Sequence, residues 1–305
     1  PINVDAQEKI NRPSLTFWQD AWIRLRKNKG AIVGLIMVII ISLMAIIAPM
    51  VSDYTYKEQD LKRAKLPPKI PVLENISWLH VDGKDANGVD VYKQRGIKEY
   101  YWFGTDDLGR DLWTRTWYGT RISLYIGFLA AAIDLLIGIT YGGISGCYGG
   151  RVDNIMQRII EVLVGIPNLI VIILFILILE PGIISITMAM VITGWVTMAR
   201  IVRGQILKLK NMEYVLAART LGASNSRLIF KHLIPNVIGP IIITTMFTIP
   251  SAIFTEALLS FSGLGIRPPE ASLGSLVNEG YKSIQTFPHM MMIPAGVISL
   301  LILSF

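Results

Sequence analysis

Residues 31–51 read Ala-Ile-Val-Gly-Leu-Ile-Met-Val-Ile-Ile-Ile-Ser-Leu-Met-Ala-Ile-Ile-Ala-Pro-Met-Val, twenty-one positions without a charge. A helix in a soluble core returns to polar residues about every 3.6 positions, and this stretch does not. Crossing a bilayer takes about 20 mostly apolar residues. The stretch therefore predicts a helix whose solvent is lipid. Five further runs repeat the pattern: residues 122–150, with one charge at Asp134; 162–179 and 181–199, divided by Glu180; 233–255, continuing past Glu256 to Ile266; and 290–305, where the sequence stops. Lipid offers the backbone no hydrogen-bond partner, so each run must satisfy itself as a helix. The expected fold is all-α, a polytopic membrane helical bundle with six transmembrane helices, the last one truncated.

Composition agrees. Of 305 residues, 52% are apolar and only 17% charged, against roughly a quarter charged in soluble domains, and the mean hydropathy is +0.50. The 29 basic and 22 acidic residues leave a net charge of +7. Long uncharged runs make this a membrane signature rather than a nucleic-acid footprint. A lone cysteine, Cys147, excludes an internal disulfide framework and disfavours a Cys-based metal site. The chain starts at Pro1 and ends at Phe305 inside an apolar run, so a trimmed N-terminus and a missing C-terminal tail are expected. No cleavable signal peptide is expected, because the first apolar run is too long for one.

Short-loop Lys and Arg set the orientation. Six precede the first run, Arg151 and Arg158 follow the second, and seven lie between Arg200 and Lys231. The turn at Glu180 has none, and the loop before residue 290 has two, Arg267 and Lys282. Both chain ends are thus expected in the cytoplasm. The domain order is a cytoplasmic segment 1–30, a first transmembrane helix 31–51, an extracellular segment 52–120, and a core 121–305 with a cytoplasmic loop 200–232. The outer segment is charge-balanced at eleven basic and eleven acidic residues. Arg115 and Arg121 lie close to the second run on the outside, against the trend.

Within the membrane, Gly138, Gly142 and Gly146 recur every four residues, a spacing for close helix packing. Pro167, Pro235, Pro240 and Pro250 are expected to interrupt the third and fifth spans. Asp134 reads either as a proton-relay or pore-lining group or, more simply, as a protonated or hydrogen-bonded residue facing another helix. Glu256 reads as bordering a water-filled cavity or as lying at the interface. Asp134, Gly138, Gly142 and Glu256 are the pathway or helix-packing candidates.

No GxxxxGK[ST] loop, HExxH or GxSxG occurs, and His80, His232 and His289 are far apart. No catalytic, cofactor-binding or metal-ligating residue is expected. Residues 75–77 form a formal glycosylation triplet, common by chance. The loop from Glu213 to Asn236 is the most informative. Residues 212–221 lack Pro and Gly and predict a short helix, Gly222 a stop, and Ser224 a cap for the next helix. Ala217 and Ala218 give that helix a small face suited to a partner's groove.

This loop resembles the EAA motif of inner-membrane permeases of bacterial ABC importers, E-A-A-x3-G-x9-I-x-L-P. Ala217, Ala218, Gly222 and Pro235 match it, while Leu216, His232 and Ile234 depart from it. A second stretch, Gly104-Thr-Asp-Asp-Leu-Gly-Arg-Asp111 with Arg115, Gly119, Arg121 and Ser123, is similar to the GTDxxGRD…GxRxSL signature of the peptide and nickel importer permeases. Gly149-Gly150-x-x-Asp153, Gly263-Leu-Gly265 and Pro268-Pro269 are also similar to that family, and the likeness is greatest to C-type subunits of Gram-positive oligopeptide importers. Thr105 or Asp106 is expected to cap an outer helix leading into the second span.

The resemblance implies a type I importer permease for oligopeptides, paired with a second homologous permease in a bacterial cell membrane. Two cytoplasmic ATPase subunits would hold ATP and Mg, so this chain needs no cofactor. An extracellular peptide-binding lipoprotein would deliver the peptide. Glu213, Tyr214, Ala217, Ala218, Arg219, Gly222, Ala223 and Pro235 would then form the ATPase-coupling site. The outer residues 52–101 read as an exposed lobe near the docking surface, or as an incidental insertion. Membrane lipid is a partner and nucleic acid is not. Alternatives are an ion-coupled secondary transporter, a receptor or scaffold, and an importer of the same family for nickel or another small solute.

Overall fold

The computed structural model describes residues 17–71, 73–74, 80–85 and 87–305. The triplet at 75–77, Trp78 and the first sixteen residues lie outside this set. Fourteen α-helices account for the described architecture, and β pairing there is confined to three isolated bridges. An amphipathic α1 (Phe17–Lys27) precedes α2 (Lys29–Val51). Asn28 caps α2 by accepting the Ala31 N–H at 3.3 Å. Ile39, Ile40, Leu43 and Ile46 of α2 are exposed, as lipid-facing residues are.

After the outer segment, with a single turn α3 (Val91–Arg95), α4 (Leu112–Ile133) begins ten residues before the uncharged run at 122. A π-helical turn, Asp134–Gly138, joins it to α5 (Ile139–Tyr148), making one element of 37 residues. Next come α6 (Gly150–Gly165), α7 (Asn168–Leu179), α8 (Ile183–Thr193) and α9 (Val196–Leu209). The cytoplasmic-loop candidates form α10 (Glu213–Thr220) and the single turn α11 (Asn225–Arg227). The chain closes with α12 (Ile238–Phe261), α13 (Leu273–Tyr281) and α14 (His289–Ser304).

Four stretches are long and apolar enough to cross a bilayer: Lys29–Val51, Leu112–Tyr148, Ile183–Leu209 and Asn225–Phe261. The pair α6 and α7 adds a fifth if its 76° bend is one broken span, and α14 is a shorter apolar helix. These six segments coincide with the six apolar runs.

The third run is not a straight helix from 162 to 179. Its helix begins at Gly150, and the chain turns sharply at Ile166-Pro167. Ile166 is extended (φ −95°, ψ 123°), as a residue before proline must be, and Pro167 cannot donate to the preceding turn. Pro240 and Pro250 do not interrupt α12, whereas Pro235 falls in a break of the α-helix within its span. Pro240 sits in the first turn of α12, where a missing N–H costs nothing. Pro250 lies inside α12, which continues through it. Pro235 belongs to a 3-10 turn ahead of α12.

Gly138, Gly142 and Gly146 face α9. A Cβ on Gly142 would collide with the Ala199 carbonyl oxygen, and one on Gly138 would lie 2.7 Å from Met198 Cβ. Close approach, not a ligand, is what requires glycine there. One buried apolar cluster joins Ile126, Ile133, Ile172, Ile186, Val196 and Leu259 across α4, α7, α8, α9 and α12. A second joins α2, α4, α12 and α14 through Ala45, Leu124, Ile253 and Leu301. The outer segment has its own small core of Leu66, Val91, Tyr92 and Tyr101, with the Tyr92 hydroxyl donating to the Pro67 carbonyl at 2.8 Å.

Candidate functional site

The loop between α9 and α12 folds as its local signals predict. Glu213 opens α10, where a negative charge favours the helix N-terminus, and Arg219 lies in the last turn. Gly222 takes φ +83° and its N–H donates to the Arg219 carbonyl, while Ala223 N–H donates to the Ala218 carbonyl, both at 3.0 Å. Ser224 caps α11 by accepting the Arg227 N–H at 3.3 Å. One face of α10 is fastened: Val215 is fully buried with Ile206, Leu228, Ile229 and Leu233, and Ala218 and Ala223 pack on that cluster. The other face is open. Glu213, Tyr214, Leu216, Ala217 and Arg219 are exposed, as is Pro235, and Leu221 is 87% exposed.

The π turn carrying Asp134 lies against an open cavity of about 520 Å³ lined by α4, α12 and the bends at Pro167 and Gly194. Asp134 is buried, and its Oδ2 accepts the Thr248 hydroxyl at 2.5 Å. Sequence reasoning missed the rest of the polar wall. Thr244, Thr248, Ser251 and Thr255 line the cavity from α12, and Asn168 and Thr193 add a hydroxyl-to-amide bond of 2.6 Å. The spacing i, i+4, i+7, i+11 within an apolar span was the available signal, since it marks one helix face.

Glu256 does not line that cavity. It is fully buried where α4, α12 and α13 meet. Ser123 donates to Oε2 at 3.0 Å and Ser260 to Oε1 at 2.7 Å. Ser272, the N-cap of α13, donates in turn to Ser260 Oγ at 3.1 Å. A buried carboxylate needs such partners, so Glu256 and the signature residue Ser123 hold helices together.

The outer signature is a second lock. Asp111, not Thr105 or Asp106, caps α4 by accepting the Thr114 N–H at 2.9 Å. Thr105 instead accepts the Leu66 N–H at 2.8 Å. Asp106 Oδ1 accepts the Leu108 and Arg110 N–H groups at 2.9 and 3.0 Å, and Oδ2 binds the Arg110 and Arg115 guanidinium groups. Both arginines also reach Glu279 of α13 at 2.9 Å, a partner 164 residues from Arg115 that no local pattern announces. Gly109 has φ +74°, and a Cβ there would collide with the Asp60 carbonyl oxygen. Arg121 donates to the Ala45 and Ile46 carbonyls of α2 at 3.2 Å. The two arginines that opposed the charge trend therefore satisfy internal acceptors. No cluster of three or more His, Cys, Asp or Glu suited to a metal occurs among the described residues.

Comparison with known proteins places this geometry. Residues 138–305 match the family described as binding-protein-dependent transport system inner membrane component, and residues 16–68 match the N-terminal TM domain of oligopeptide transport permease C. The oligopeptide transport system permease protein OppC of Bacillus subtilis (strain 168) is 47% identical over 303 residues, covering 99% of this chain and 90% of the relative. The dipeptide transport system permease protein DppC of Lactococcus lactis subsp. cremoris is 44% identical, with 99% and 90% covered. OppC of Escherichia coli (strain K12) is 34% identical, with 98% and 90% covered. Among solved structures, a chain of the MetNI methionine ABC transporter in inward facing conformations superposes with a TM-score of 0.51 at 16% identity, covering 60% of this chain and 88% of that one. That likeness is one of fold alone. The chain is a multi-pass membrane protein with a type I importer permease fold, and it belongs to the binding-protein-dependent inner-membrane permeases of ABC importers, among the C-type subunits of the oligopeptide systems.

Proposed function

We propose that this chain is one half of the membrane pathway of an ATP-driven oligopeptide importer. It pairs with a second homologous permease in a bacterial cell membrane, with its N-terminus in the cytoplasm. Two cytoplasmic ATPase subunits hold ATP and Mg and do the hydrolysis, and an extracellular peptide-binding lipoprotein presents the peptide to the outer segment 52–120. The core 121–305 carries the pathway, and the loop 200–232 the coupling site. The exposed face of α10, with Tyr214, Leu216, Ala217 and Leu221, seats in a groove of one ATPase, and Val215 transmits its displacement into the bundle. Asp134 and the hydroxyl wall of the 520 Å³ cavity line the peptide's route.

The observation that carries this reading is the two-faced α10, packed into the core on one side and apolar and exposed on the other. An exposed apolar patch next to basic residues is a docking surface in search of a partner. Purification of the chain from its native membrane tests the reading. Two ATPase subunits and a homologous permease are expected to co-purify. Uptake by the chain alone in vesicles, driven by an ion gradient without any ATPase, overturns it in favour of a secondary transporter.

A further inference from the structure

We propose that Asp134 recognises the one cationic group every unblocked peptide carries: its carboxylate takes the protonated α-amino group of the cargo in the membrane cavity. The inference rests on the peptide-cargo reading above and adds a specificity contact to it.

Among the described residues lining the cavity, Asp134 alone is charged. Its oxygens are unequal. Oδ2 accepts the Thr248 hydroxyl, whereas Oδ1 is buried without any hydrogen-bond partner. A buried carboxylate oxygen left unmet is costly, and a carboxylate can accept about four hydrogen bonds. No described donor lies within hydrogen-bond distance of Oδ1. Thr193 donates to Asn168, and Thr244 to the Pro240 carbonyl at 2.8 Å. Asp134 lines the cavity, and a carboxylate with one oxygen unmet keeps acceptor capacity for a donor that the cavity's occupant carries.

The backbone is also unusual at this point. Asp134 opens the π turn, a wider coil that recurs at functional sites. The turn lies where the cavity wall is, and the Gly138 that ends it is pinned against Met198 and Trp195 of the neighbouring span.

Cargo chemistry fits what remains. A cavity of about 520 Å³ falls within the roughly 300–1,000 Å³ of small-ligand sites. A peptide offers an ammonium group, amides and side chains of any kind. One anion and a row of hydroxyls read the ammonium and the amides and ignore the side chains. With no basic residue in the described lining, these walls hold no counter-ion for the peptide's carboxylate end. The contact is therefore made by the amino end.

The test uses the full complex of both permeases and both ATPases in lipid nanodiscs, without the binding protein, and a fluorescent tripeptide with a free amine beside its N-acetylated twin. The wild type is expected to bind the free amine roughly tenfold more tightly, the size of one charge-assisted hydrogen bond. Asp134→Asn is expected to erase that preference while both ATPases still co-purify. A wild type that binds both peptides equally overturns the proposal, and this arm needs no variant to fold. An Asp134→Asn complex that keeps the wild-type preference also overturns it. Failure of the complete wild-type importer, binding protein included, to take up any peptide overturns the cargo reading itself, which keeps the two failures apart.

Discussion

Arg203 of α9 grips Asp153 of α6 with two parallel hydrogen bonds, Nε to Oδ1 and Nη2 to Oδ2, each 2.6 Å long. The Ser145 hydroxyl of α5 donates to the same Oδ1, and Lys210 reaches the Gly146 carbonyl at 3.2 Å. The Gly-Gly-x-x-Asp motif therefore ties the α5–α6 turn to the helix that leads into the loop between α9 and α12. Gly149 and Gly150, both at positive φ, make the turn that presents Asp153.

Arg203→Ala should lower the stability of the solubilised protein by about 1–2 kcal/mol, the loss of a bidentate charged pair partly open to solvent. Asp153→Ala should cost a similar amount. The double variant should cost clearly less than the sum, because each single change strands a charge. Thermal unfolding of the four proteins checks this, and additive losses would show that the pair is not coupled.

Arg121 compensates for a proline. Pro49 of α2 has no N–H, so the Ala45 carbonyl lacks its helical partner, and Arg121 Nε supplies the donor at 3.2 Å. Arg121→Leu should destabilise by about 1–2 kcal/mol. Pro49→Ala restores the helical donor, so Arg121→Leu should cost measurably less in that background. Unfolding midpoints of the cycle decide it.

Glycines of the same helical bundle should respond with opposite signs. Gly142→Ala drives a methyl into the Ala199 carbonyl oxygen and should cost about 1–3 kcal/mol. A Cβ on Gly204 would meet nothing within 4 Å, so Gly204→Ala should be neutral or stabilise by up to about 1 kcal/mol through helix propensity. Melting of the purified chain in detergent compares the two.

What was legible in the sequence was local. The uncharged runs, the Gly222 stop and the Ser224 cap each depend on neighbours within a few residues, and the structure has them as read. Pro167 announced a break, but the 76° bend it makes depends on how α7 packs on α8. The partners of the membrane carboxylates were illegible for a stronger reason. Thr248 meets Asp134 across 114 residues, and Ser123 meets Glu256 across 133. A serine or threonine in an apolar span carries no mark of which helix it faces. Glu256 lay near a span end by count, yet the turn from α12 into α13 folds over it and shuts out water.

The outer segment should loosen in acid. The Lys84 ammonium, 2.8 Å from Asp82, holds that carboxyl below its ordinary range against an opposing push from burial. A depressed folded value means the contribution is present above the unfolded value of about 3.9 and is lost as pH falls through the folded one. Hydrogen exchange at Gly83 and Val91, corrected for the intrinsic pH effect, should therefore accelerate below about pH 4. Asp82→Asn should exchange faster at neutral pH and show less of that acceleration.

On the proposed docking loop between α9 and α12, folding and docking can be separated by choosing the face of α10. Ala217 is exposed, so Ala217→Arg should leave the chain inserted and equally stable while blocking the approach of the ATPase. Ala218 packs against the buried cluster that includes Val215, Leu228 and Ile229, so Ala218→Asp should instead loosen the loop itself by placing a charge against an apolar cluster. Gly222→Pro removes the N–H given to Arg219 and forbids φ +83°, so the turn that ends α10 should open. All three should abolish peptide uptake, but only the last two should expose the loop to protease in the permease pair without its ATPases. Retained uptake in Ala217→Arg, with ATPases still bound, would mean that the open face of α10 is not where the ATPase sits.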